Sequence, residues 1–170
     1  METTQDTTAA VPPLNPVDGY MQVNYRHHYA ELLRMVAMPP EAIAELCLFR
    51  FWLACRVHHH AHAGNVDTPT PLRPPAGWPL PRHASGFDVE RVLGQGLLPL
   101  LESRLRLYDR FVLLGHNTRD PQGLDAAALA LSCQLFVQAP PIARAYLQAE
   151  TRHLFTRMLA TCAMPTPSPA

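Results

Sequence analysis

The chain has 170 residues, with 14 arginines and no lysine against 14 acids, so its formal net charge is zero. That length suits one domain with a real core, and the neutrality removes the electrostatic case for binding nucleic acid or an anionic membrane surface. Four cysteines, Cys47, Cys55, Cys133 and Cys162, lack C-x-x-C spacing and each falls in an apolar stretch, which reads as free, packed thiols rather than a disulfide scaffold.

Residues 1–17 are rich in Thr, Pro and Ala, with neither a basic n-region nor an apolar h-region. They are expected to be a disordered tail without a Sec-type signal, which points to a cytoplasmic protein and leaves signal-independent secretion open. Asp18 is placed to cap a first helix reaching about Met38, with Tyr25, Tyr29, Leu32 and Val36 on its buried face. Pro39-Pro40 ends that helix and supplies the first turn of the next, which is expected over about 41–60 with Glu41 at the positive end of its dipole. Within it, ten of the twelve residues from Leu46 to Val57 are apolar, and they encircle the axis rather than forming one stripe. Such a helix wants neighbours on several sides, and its run is too short for a membrane span, which takes about 20 apolar residues.

After the histidine-rich stretch His58 to His62 comes a proline-rich loop over 65–85, holding Trp78 as its one large apolar group. Ser85 is read as the N-cap of a short helix from Phe87 to Leu93, with Asp88 three residues on. Gly94, Gly96 and Pro99 break the pattern before a helix from about Leu98, with Leu101, Leu105, Tyr108 and Val112 as its stripe and Gly115 as its stop. Asp120-Pro121 opens a helix to about Gln138, and Pro140-Pro141 precedes a last one from Ile142 to about Ala163 on Leu147, Leu154, Met158 and Cys162. No strand is expected. The reading is an all-α, compact five- to six-helix bundle over 18–163 around the central helix, with residues 164–170 as a second disordered tail.

Three features carry more than packing. Arg50 and Arg56 have no acid three or four residues away on their own helix, so each is expected to snorkel to water at the surface, to meet an acid of another helix, or to anchor an acidic partner. Trp78 either tacks its loop onto the bundle or anchors a partner. His58 and His62 are i and i+4, so both can face one zinc or nickel ion, with Cys55 and His59 as a neighbouring pair and His27-His28 brought close if the first two helices are antiparallel. Serine and cysteine nucleophiles lack motif context, no phosphate loop follows Gly94-Gln95-Gly96, and Glu41 with Glu45 reads as a solvated helix start, so no catalytic residue is assigned. The function expected is therefore non-catalytic: a protein–protein interaction protein, as a bacterial accessory or adaptor subunit or an effector-like protein, with a protein partner and self-association open to it. The alternative is an α-helical metal-binding protein, with or without catalysis, using His58 and His62; no cofactor beyond that zinc is implied.

Overall fold

A computed structural model describes residues 17–63, 72–115, 120 and 122–163. The expected tails over 1–16 and 164–170, the first part of the proline-rich loop and the turn at 116–119 lie outside the described residues. In chain order the elements are α1 (Asp18–Met21), α2 (Tyr25–His28), α3 (Ala30–Leu33), α4 (Pro39–Ala63), β1 (His83–Ala84), β2 (Phe87–Asp88), α5 (Val89–Leu93), α6 (Leu97–Gly115), α7 (Leu124–Leu135) and α8 (Pro141–Ala163). The described chain is thus mostly helical.

α4 is the axis of the molecule. Pro39 and Pro40 sit in its first turn, where a missing N–H costs nothing, and Ala42 donates the first backbone bond back to Met38. Every residue from Ala42 to Cys55 is buried, polar ones included, because α8, α6, α7, α5 and α1 surround it. That is the consequence of an apolar surface running right round the helix. No helix among the described residues is long and apolar enough to cross a membrane.

The single first helix expected over 18–38 is instead three isolated turns. Asn24 takes an extended conformation and its side chain accepts the amide of His27, so the chain restarts there, and Tyr29 breaks it again before α3. A short polar side chain competing for backbone donors ends a helix in this way. The spacing still delivers Tyr25, Tyr29 and Leu32 to the core. Val17, expected in the tail, is fully buried against the same core.

The stretch 83–88 also departs from expectation. Ser85 is not a helix cap: with φ of 48° beside Gly86 at 84°, it forms the two-residue turn of a small antiparallel hairpin pairing His83 with Asp88 and Ala84 with Phe87. Positive φ at both turn residues matches the right-handed twist of the strands. Asp88 caps α5, accepting the amide of Arg91 at 3.0 Å, while the Ser85 hydroxyl accepts the amide of Tyr25 at 2.8 Å and ties the hairpin to α2.

α7 begins at Leu124, later than Asp120-Pro121, yet the Asp120 carboxylate still serves its start by accepting the amides of Leu124, Asp125 and Ala126. Gly123 makes the turn at φ 63°, and a Cβ there would lie 2.4 Å from the Val112 carbonyl oxygen, so only glycine lets α7 approach α6 this closely. Ala127, Ala128 and Ala130 are buried where α7 packs on α6 and α8. Cys133, expected to be packed, is exposed on the outer face of α7.

Candidate functional site

A groove of about 520 Å³ runs between the 18–25 segment, α4 and the 78–85 stretch, a size typical of ligand sites. Its walls come from Met21, Val23, Tyr25 and Phe51 on the core side and from Trp78-Pro79-Leu80-Pro81 on the loop side, with Asp18, Gln22, Arg82 and His83 as polar lining. Trp78 is half-buried: its ring meets Phe51 edge-on at 6.3 Å and His58 at 5.3 Å. The indole thus fastens the loop to α4 and forms one wall of the groove at once, so both readings of this residue share a single position.

Cys47 lines the groove beside Tyr25. Burial pushes its thiol up to about 11, against which the Tyr25 hydroxyl and the Arg50 charge act only partly. At neutral pH it is a protonated, inert thiol. The Ser85 hydroxyl, also lining the groove, is engaged by the Tyr25 amide. The groove therefore offers shape, aromatic surface and a few polar groups rather than an activated nucleophile.

The two arginines of α4 meet different fates. Arg56 reaches across to Asp109 of α6, whose Oδ1 lies 3.9 Å away and also accepts the Trp52 indole N–H at 2.9 Å. Burial raises the Asp109 carboxyl, and the indole bond and the Arg56 charge pull it partly back. Arg50 is only 2% exposed and forms no ion pair among the described residues. Its guanidinium donates to the Tyr29 hydroxyl at 3.2 Å and lies 5.8 Å and 5.7 Å from the Tyr25 and Tyr29 ring centres, while its Nε has no partner. Its surroundings are those tyrosine rings, so a partner's carboxylate does not reach it in this conformation, whereas Arg56 keeps a quarter of its side chain open.

Glu45, expected on a solvated face, is 5% exposed and grips Arg104 of α6 in a bidentate pair, with Nε at 2.8 Å from Oε2 and Nη2 on Oε1. That hydrogen-bonded carboxylate raises the Arg104 guanidinium, and the pair locks α4 to α6.

At the end of α4 the His58 and His62 rings stack at 4.1 Å with 23° between their planes. Nδ1 of His62 lies 2.8 Å from the His58 carbonyl oxygen, which makes it the N–H donor and leaves the lone pair on Nε2. Burial lowers the His58 imidazole, helped by the neighbouring charges of His62 and His59, so it is neutral at pH 7. Of the other proposed ligands, His28 bonds Glu150 of α8 at 2.6 Å, and Cys55 is buried with its thiol pushed up to about 12. Among the described residues no group of three or more His, Cys, Asp or Glu side chains is placed to hold a metal ion.

Trp78 was the one groove residue that stood out in the sequence. Tyr25 and Phe51 read there as core positions, Met21 carried no reading, and only their juxtaposition with the loop shows a wall. A Ser-Gly pair after Trp-Pro-Leu-Pro is the one local signal that this loop doubles back on itself. Compared with known proteins, the chain matches no family model, no curated protein and no solved structure.

Proposed function

We propose that the chain is a non-catalytic protein-binding protein of the adaptor or effector kind, and that its groove receives a short extended, apolar segment of a protein partner. The observation that carries this reading is the make-up of the groove: an aromatic and proline wall built around Trp78 faces Tyr25 and Phe51, with Asp18 and Arg82 among its lining. Aromatic walls with sparse polar groups favour extended, proline-containing ligands, whose preset backbone loses little entropy on docking. The rim charges of opposite sign, Asp18 and Arg82, favour a segment that is itself close to neutral.

The test is selection from a displayed random-peptide library on the full chain, with counter-selection on Trp78→Ser. Convergence on apolar, proline-bearing peptides that lose binding to Trp78→Ser and to Met21→Ser supports the reading. A library that enriches nothing dependent on these two positions overturns it.

Metal binding at His58 and His62 is a second proposal, supported by the side-by-side imidazoles and the neutral state of His58. Equilibrium dialysis against zinc of untagged chain, beside the His58→Ala/His62→Ala double variant, decides it: stoichiometric zinc lost in the variant supports the site, and equal zinc in both removes it.

A further inference from the structure

We propose that the partner segment adds to β1 as a further strand, its main chain bonding the N–H and C=O of His83, so that the residue whose N–H meets His83 cannot be proline. This rests on the groove being a peptide-binding surface, as proposed above. The direction of the two His83 groups follows from the hairpin. Ser85 and Gly86, with φ of 48° and 84°, form its two-residue turn, which makes Ala84 and Phe87 the closing hydrogen-bonded pair. The next such position is Arg82 with Val89, where the Val89 amide donates to the Arg82 carbonyl at 2.9 Å. His83 and Asp88 lie between them, and hydrogen-bonded and non-hydrogen-bonded pairs alternate along an antiparallel ladder. The N–H and C=O of His83 therefore point away from β2, to the open edge of β1.

That edge borders the groove. Arg82, His83, Ala84 and Ser85 line it, while Phe87 and Asp88 of β2 do not. His83 is exposed, and its main-chain groups have no partner among the described residues. Elsewhere on the loop wall Pro79 and Pro81 carry no N–H, and the Arg82 amide is taken by the Leu80 carbonyl at 2.8 Å, which leaves His83 offering a donor and an acceptor together. An open strand edge beside apolar walls is where an extended peptide docks as an added strand, main-chain bonds giving affinity and alternate side chains specificity. Pairing with a single residue asks the segment for one N–H, whichever way it runs, and a proline at that position removes it. Prolines on either side of it leave the contact intact and suit the Trp78 wall.

The probe is fluorescein-Pro-Leu-Val-Leu-Pro-amide, titrated into the full chain and followed by anisotropy, beside three versions that each carry an N-methyl group on one of the inner residues. The expected result is that one N-methylated version binds about tenfold more weakly and the other two within about twofold of the parent probe, because one N–H alone meets a main-chain acceptor. In the nitrogen-15-labelled full chain, saturation with the parent probe should slow hydrogen exchange at the His83 amide about tenfold or more, as capture of that donor requires. A loss absent from all three N-methylated versions or equal in all three, or an unchanged exchange rate at His83, overturns the inference. If parent-probe binding is still lost in Trp78→Ser and in Met21→Ser, only the added strand is rejected and the groove reading stands. A probe that does not bind the full chain at all overturns both.

Discussion

α4 buries two charges, and it treats them in opposite ways. On the side facing α6, Glu45 is matched by Arg104 in a two-point contact. On the side facing α2, Arg50 is buried without a carboxylate and is held by the faces of Tyr25 and Tyr29 and one phenol oxygen. A buried ion pair balances two desolvation penalties with a strong mutual attraction, so it is most fragile to the loss of one member. A cation among aromatic rings gains less per contact and leaves no anion behind when it is removed. The two sites should therefore answer oppositely to truncation.

The largest expected effect is at the paired site. Arg104→Ala strands Glu45 in the core and should destabilise the fold by about 3–5 kcal/mol, read as a fall in the denaturant midpoint with an unchanged slope. A loss below about 1 kcal/mol would show that water reaches Glu45 and would dissolve the contrast.

The second test is alkaline pH, which loads the Arg50 side through the Cys47 thiol. Cys47 has its folded pKa raised to about 11 from an ordinary 9.0, so it favours the fold fully below pH 9 and loses that contribution as pH rises from 9 to 11. Cys47 should contribute about 1.4 kcal/mol per pH unit to the slope in that window, and Cys55, raised by burial from 9.0 to about 12, a similar share. Tyr25 and Tyr29, both raised by burial, add to it at higher pH. Urea unfolding at pH 9, 10 and 11 should show Cys47→Ala losing stability less steeply than the parent; parallel curves would remove the thiol from the linkage.

Tyr29→Phe deletes the hydroxyl that is Arg50's one hydrogen-bond acceptor among the described residues and keeps both rings. It should cost about 2 kcal/mol, the usual penalty for stranding a buried donor, by the same unfolding measurement. A neutral result would place the whole retention of Arg50 on the aromatic faces.

The smallest effect is expected for Arg50→Met, which exchanges the unpaired cation for an unbranched apolar side chain. Stability should stay within about 1 kcal/mol of the parent, because relief of desolvation offsets the lost ring contacts. A loss above about 3 kcal/mol would show that tyrosines can hold a buried guanidinium as firmly as a carboxylate does, and would make the two faces of α4 energetically alike.

Much of this architecture follows from composition and spacing. The run Leu46 to Val57 demanded a helix covered on all sides, and the limits of α4, α6 and α8 were legible to within three residues, because the proline and glycine near them act on the local backbone alone. Breaks that depend on competition were hidden: Asn24 interrupts a helix only because its side chain wins the His27 amide, and Ser85 enters a hairpin turn because its hydroxyl is taken by the Tyr25 amide. The groove was hardly visible, since Met21, Tyr25 and Phe51 carry the same periodicity whether a helix, a loop or open space lies opposite.

By itself the sequence determined that Arg50 and Arg56 have no acid within reach on their own helix, because helical neighbours are set by counting residues. Only the tertiary structure decided where each goes. Arg56 meets Asp109 and Glu45 meets Arg104 through packing of α4 on α6, each pair more than fifty residues apart in the chain, and no periodicity in either helix encodes which charged side chain turns inward. Whether a buried charge finds an acid, a ring or neither is fixed by the relative rotation of two helices, a quantity that exists only once the core has closed.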